Sequence, residues 1–221
     1  MSITLPEHMR AWTFSSCGRP RDVLNLDRKY PVPDPPGKDD LLIRVSHVAL
    51  NPGCYITMAN IPPWVRLLLG GNTTAIAEAE FSGVVHLVGP AASENFIPGT
   101  RVFGNFPMMQ LIAGAGALAE YIVVPQSNVA IVPSVMGFED ASGLGGAGQT
   151  AWNMFLEIDL KPGDRVLVNG GSGGVGIMVI QIAKSKGAYV IVTCSGASAD
   201  LVKNLGANEV SLQPFYVALS I

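Results

Sequence analysis

Apolar residues in the first two thirds of the chain fall in short runs cut apart by Gly and Pro. Leu41 to Leu50 alternates in part between apolar and polar positions, which predicts a strand lying on a core. Pro31, Pro33, Pro35, Pro36 and Gly37 form the loop before it, and Pro52–Gly53 closes it as a turn. Phe81 to Val88 predicts a second strand turned by Gly89–Pro90, and Arg101 to Phe103 a third after Pro98–Gly99. Ala119 to Val124 stops at Pro125, and Val129 to Val132 stops at Pro133. Short strands with this punctuation predict an all-β region over residues 10 to 150, a small barrel or sandwich.

From Phe138 the period changes. Glu139 and Asp140 open a helix with an acidic first turn, suited to the helix dipole. A second helix over Thr150 to Leu156 leads to a turn at Lys161 to Asp164. Then come strand Arg165–Val168, helix Val175–Lys186, strand Tyr189–Thr193, helix Ala199–Leu205 ended by Gly206, and strand Glu209–Leu212. The helix after Val175 is apolar nearly all round, which predicts burial on more than one side. The expected fold is therefore β followed by α/β. Residues 1–135 form a β domain and residues 136–221 the beginning of a doubly wound sheet.

Composition narrows the class. At 221 residues, 48% hydrophobic and 14% charged, the chain can bury a sizeable core and is poor in surface charge. A net charge of −3 with scattered Lys and Arg leaves no basic footprint for nucleic acid. The longest weakly interrupted apolar stretch, Leu111 to Val124, is broken by Glu120 and is too short for a membrane span. Cys17, Cys54 and Cys194 are odd in number and far apart, which argues against a disulfide framework. With no secretory pattern at the start, the expected setting is the cytoplasm.

The chemistry concentrates at Gly171, Gly173 and Gly176, a G-x-G-x-x-G spacing between a predicted strand and helix, with a second strand following. That order cradles a dinucleotide diphosphate. Gly171 permits the tight turn, Gly173 lets backbone approach the phosphates, and Gly176 lets the helix pack near the strand. Gly171, Ser172, Gly173, Gly174, Val175 and Gly176 are the candidate cradle, with free N–H groups at the helix start facing the anion. An NAD site places an acid about 20 residues on, for the ribose 2′-OH. Here that place is held by Thr193, Cys194, Ser195 and Gly196. A neutral turn tolerates a 2′-phosphate that a carboxylate would repel, and Ser195 and Ser198 can donate to it, so the expected cofactor is NADPH. Both serines also fit ordinary turn and cap chemistry. His47 and His86 lie inside apolar strands, and Cys54 has no second cysteine near, so zinc ligation is not expected.

The succession of segments resembles the zinc-independent medium-chain dehydrogenase/reductase superfamily, in its quinone oxidoreductase (zeta-crystallin-like) and enoyl reductase branch. The likeness runs through Met9 to Trp12, Asp22 to Leu24, Leu41 to Pro52, Phe81 to Gly89 and Pro98 to Gly104. It continues through Ala119 to Pro125, Glu139 to Ala141, Gly148 to Ala151 and Asn169 to Gly176. The resemblance implies a GroES-like β-barrel catalytic domain followed by a Rossmann domain. It implies NADPH-dependent reduction of quinones or activated C=C bonds in a small-molecule substrate. It puts Asn51 and Thr150 near the nicotinamide and makes Tyr55 a candidate proton donor. The chain departs from the pattern at Cys54, where the family commonly has Asp, and at Ala77–Glu78, where Pro–Gly is usual. Ser198 stands where a basic contact to the 2′-phosphate is expected.

The family pattern continues past a third strand with a second mononucleotide half, which this chain does not contain. Arg165 to Val168 is then expected as an exposed sheet edge, open to a second copy or a partner chain. NADPH binding is expected to be weak and turnover poor. Three readings follow: a quinone-type reductase, an enoyl-thioester reductase serving a synthase in trans, and a non-catalytic interaction module on a reductase scaffold.

Overall fold

The computed structural model describes residues 5–212, so the tail Gln213–Ile221, which departs from the family pattern, lies outside the described residues. The chain divides into two compact units, the first ending at Gly146 and the second beginning at Ala147.

Strands of the first unit run in the order β1 (His8–Phe14), β2 (Asn25–Pro31), β3 (Asp40–Ala49), β4 (Ala75–Ile76), β5 (Glu80–Val88), β6 (Arg101–Asn105), β7 (Tyr121–Pro125) and β8 (Val129–Ile131). They form a three-stranded sheet, β2-β1-β4, and a five-stranded sheet, β7-β3-β5-β6-β8, each antiparallel. The Trp12 N–H donates to Leu118 O and the Glu120 N–H to Arg10 O, tying the sheets together. Arg10 reinforces that junction, its backbone N–H and guanidinium both donating to the Glu120 carboxylate. The alternation read in Leu41–Leu50 has its cause here. Leu41 and Ile43 join Phe81, Val85, Val102, Phe106, Ile122 and Val124 in the core, while Arg44 and Ser46 are exposed.

The region is not all-β. Helices α1 (Pro20–Val23), α2 (Pro52–Asn60), α3 (Pro63–Leu68) and α4 (Met108–Ala113) interrupt it. Pro52 does not close a turn: it is the first residue of α2, where a missing N–H costs nothing and a fixed φ suits the helix. Pro63 begins α3 in the same way. Arg66 on α3 is buried yet donates to Thr73 O and Ile61 O and lies over the Phe14 ring, so its charge is satisfied without a carboxylate.

Residues 136–146 pack with the first unit. Arg101 donates to Met136 O, Ser82 donates to Phe138 O, and α5 (Phe138–Ser142) lies against β3 and β5.

The second unit comprises α6 (Gln149–Met154), β9 (Arg165–Asn169), α7 (Gly174–Ser185), β10 (Tyr189–Cys194), α8 (Ala199–Asn204) and β11 (Glu209–Leu212). Its parallel sheet has the order β11-β10-β9, three consecutive strands of a doubly wound half. Val168, Ile180, Ala183, Val190, Val192 and Val202 form its core. As expected, β9 is an edge among the described residues, and its Leu167 is 66% exposed. On α7 only Ile180 and Ala183 are fully buried, while Ile177, Met178, Val179 and Ile182 are half-buried. The sheet strands β9 and β10 and helix α6 all pack on α7, yet they leave much of so apolar a helix only partly covered. No helix among the described residues is long and apolar enough to cross a membrane.

Phe81 is fully buried and meets Phe106 edge-to-face at 6.2 Å. Phe81→Ala is expected to cost about 3–5 kcal/mol, read by urea denaturation, through lost burial and the cavity left behind.

Candidate functional site

In the second unit the glycine segment forms the expected turn between strand and helix, with one change of role. The left-handed residue of the turn is Gly170 (φ 70°), one position before the expected Gly171. Gly171 instead faces the neighbouring strand, where a Cβ would stand 2.2 Å from Val192 Cγ1. At Gly176 a Cβ would stand 2.6 Å from Gly170 O and 2.7 Å from Gly171 Cα, so this glycine sets the close approach of α7 to the loop. Gly173 is the N-cap of α7, exposed, with no side-chain cap, and a Cβ there would meet only Gly170 O at 3.4 Å. The N–H groups of Gly174, Val175 and Gly176 find no acceptor among the described residues. Three amides without an acceptor at the positive end of a 12-residue helix have the polarity that suits an anion. Ser172 belongs to this loop and is half-buried.

The end of β10 carries no acid. Thr193 Oγ1 donates to Asn169 Oδ1 (2.6 Å) and accepts from the Gly170 N–H (3.0 Å), which braces the glycine turn from below. Ser195 and Ser198 are brought together, their hydroxyls 3.1 Å apart. Asp200 lies in the exposed first turn of α8. Thr150 is exposed on α6, the helix that packs on α7.

In the first unit Asn51 is the N-cap of α2 and the centre of a polar corner. Its N–H donates to Glu78 Oε2 (3.0 Å) and its Nδ2 to Glu80 Oε1 (2.8 Å), with a longer bond to Ala49 O (3.4 Å). Glu78 is non-glycine backbone at φ 65°, a conformation that Gly in the family's Pro–Gly pair adopts without strain. Burial pushes the Glu78 carboxyl above its ordinary range, against the hydrogen bonds from Asn51 and from the Cys54 thiol. Burial first and Glu78 second push the Cys54 thiol up to about 12, so it stays protonated. Tyr55 lies on a helix. It sits in the first turn of α2 and is 46% exposed, its hydroxyl free of partners among the described residues. His47 faces Glu139 at 3.6 Å, and His86 packs edge-to-face on Tyr121, its Nε2 buried without a partner. No three His, Cys, Asp or Glu side chains converge as a metal site among the described residues.

Sequence reasoning passed over Glu80 and treated Glu78 only as a departure from a pattern. The signal was present: two acids set among Ala75, Ile76, Ala77, Ala79 and Phe81, where a charge must be buried to keep the strand in register.

Comparison with known proteins agrees with this architecture. The alcohol dehydrogenase GroES-like domain family matches residues 37–134. The chain is 36% identical over 220 residues to the trans-enoyl reductase pgmF of Aspergillus terreus, covering 95% of this chain and 60% of that protein. It superposes on the quinone oxidoreductase of Coxiella burnetii with a TM-score of 0.78 at 31% identity, over 92% of this chain and 62% of the other. A mycobacterial structure complexed with NADPH gives a TM-score of 0.74 at 29% identity, over 94% and 59%. The chain thus spans about 60% of the length of such relatives.

Two outcomes follow from the polar corner. A raised carboxyl pKa means the folded state holds its proton longer, so stability contributed by neutral Glu78 is full below the ordinary carboxylate pKa and lost as pH rises through the raised one. Thermal melts are expected to show this loss in the wild type and a flatter profile in Glu78→Gln. With iodoacetamide, exposed Cys17 is expected to be alkylated in the native protein while buried Cys54 and Cys194 react only after unfolding, as read by peptide mass spectrometry.

Proposed function

Because the chain belongs to the quinone oxidoreductase and enoyl reductase branch of the medium-chain dehydrogenase/reductase superfamily, we propose that it serves NADPH-dependent hydride transfer to a quinone or an activated C=C bond. The observation that carries this reading is the trio of amides at the mouth of α7, unplugged by any side chain among the described residues. When bound, the cofactor supplies a hydride from its neutral reduced ring, which becomes positively charged on giving it up.

Each residue then has a physical task. The backbone from Gly171 through Ser172, Gly173, Gly174 and Val175 to Gly176 holds the diphosphate, with the helix dipole adding to its amides. Ser195 and Ser198 turn their hydroxyls to the 2′-phosphate, and the lack of an acid at the end of β10 removes the repulsion that would exclude it. The family resemblance assigns Asn51, and separately Thr150, to the nicotinamide end. Tyr55, exposed and free at its hydroxyl, delivers a proton to the reduced substrate. The enoyl-thioester alternative is favoured by the 36% identity to a trans-enoyl reductase.

Fluorescence titration tests the reading. Saturable NADPH binding, tighter than NADH binding, is expected of the 221-residue chain. Gly173→Val has room for its Cβ and extended backbone, yet blocks the approach of a phosphate. It is expected to weaken NADPH about tenfold or more with an unchanged melting temperature. Absence of NADPH binding by the wild type would overturn the assignment. Turnover with quinone, enone and enoyl-thioester panels then separates the three readings.

A further inference from the structure

The corner around Asn51 has the wrong polarity for one task and the right polarity for another. Its Nδ2 donates to Glu80 and Ala49, so the amide's remaining group is the acceptor Oδ1, which no donor reaches among the described residues. Behind it Glu80 is 3% exposed, and its Oε2 is buried with no hydrogen-bond partner. Glu78, 9% exposed, takes the Asn51 N–H. Neither carboxylate has a Lys, Arg or His partner among the described residues. Gly146 leaves room for the arrangement, since a Cβ there would stand 2.2 Å from Glu80 Oε1.

Buried carboxylates without counter-ions are costly, and their field is weakly screened. Here that field reaches the surface through a half-buried amide that shows its oxygen. A developing oxyanion on a substrate would be repelled at such a place. A positive charge would be held.

We propose that Glu78 and Glu80 are positioning residues that make Asn51 a seat for the positively charged, oxidised nicotinamide ring and not for the substrate's oxyanion. Glu80 turns the amide, Glu78 anchors its backbone, and both carboxylates favour the ring that has lost its hydride. The inference rests on the reading that Asn51 meets the nicotinamide.

The readout is the ratio of dissociation constants for NADP⁺ and NADPH, measured by titration calorimetry on the full chain. Glu80→Gln and Glu78→Gln, each alone, are expected to weaken NADP⁺ relative to NADPH about tenfold, with NADPH affinity held within about twofold. Glu80→Asp keeps the charge and is expected to keep the ratio. A second measurement needs no variant: in the wild type, 1-methylnicotinamide, a pyridinium cation, should shift the Asn51 side-chain amide resonances and neutral nicotinamide should not. An unchanged ratio in variants that still bind both dinucleotides overturns the inference and leaves the cofactor reading standing. Equal shifts by the neutral and cationic rings overturn it too. A wild type that binds neither dinucleotide removes the reading and the inference together.

Discussion

The beginning of α7 can face an anion only because side chains are missing from the residues around it. A helix start leaves amides unsatisfied, and most proteins occupy them with a capping hydroxyl or carboxylate. Here the N-cap is Gly173 and it caps nothing. Gly176 brings the first turn of α7 within 2.6 Å, Cβ position to oxygen, of Gly170. Gly171 yields its side-chain volume to Val192, and Gly170 supplies the left-handed turn. Strand, turn and helix are thus pulled together by the hydrophobic core beneath them, and the amides are left without an acceptor among the described residues. The second unit depends on this constraint: Val168, Ile180, Val190 and Val192 can share one core only at that helix-to-sheet distance.

The two units carry opposite electrostatics. The amides of α7 and the neutral, hydroxyl-bearing end of β10 suit negative charge. The Asn51 corner, with an acceptor displayed over Glu78 and Glu80, suits positive charge. The high thiol pKa of Cys54 belongs to the same corner: a proton stays on sulfur because the surroundings are apolar and already negative.

Much of the fold was legible because two periodicities and a few breakers carried it. Alternation in Leu41–Leu50 and the apolar run before Gly170 named their strands, and both form close to the expected bounds. The helices inside the β region were not legible in the same way. Pro52–Gly53 reads equally as the end of a strand or as the start of a helix, and only the packing of Cys54 and Met58 into the first unit decides for α2. The division between units is similar. Glu139 and Asp140 announce a helix, but Ser82 and Arg101, bonded to the Phe138 and Met136 carbonyls, settle which core that helix joins.

By itself the sequence determined the glycine turn and the uncapped start of α7, since turn and close approach are local properties of glycines at fixed offsets on one strand–helix unit. It also determined the absence of an acid at Thr193–Gly196. The Asn51 corner was decided by tertiary structure alone. Asn51 and Glu80 are 29 positions apart and meet because β3 and β5 pair with Ala49 opposite Glu80. A cross-strand register is a non-local fact, set by the burial of Leu41, Ile43, Phe81 and Val85 on one shared face, and no spacing along the chain records it.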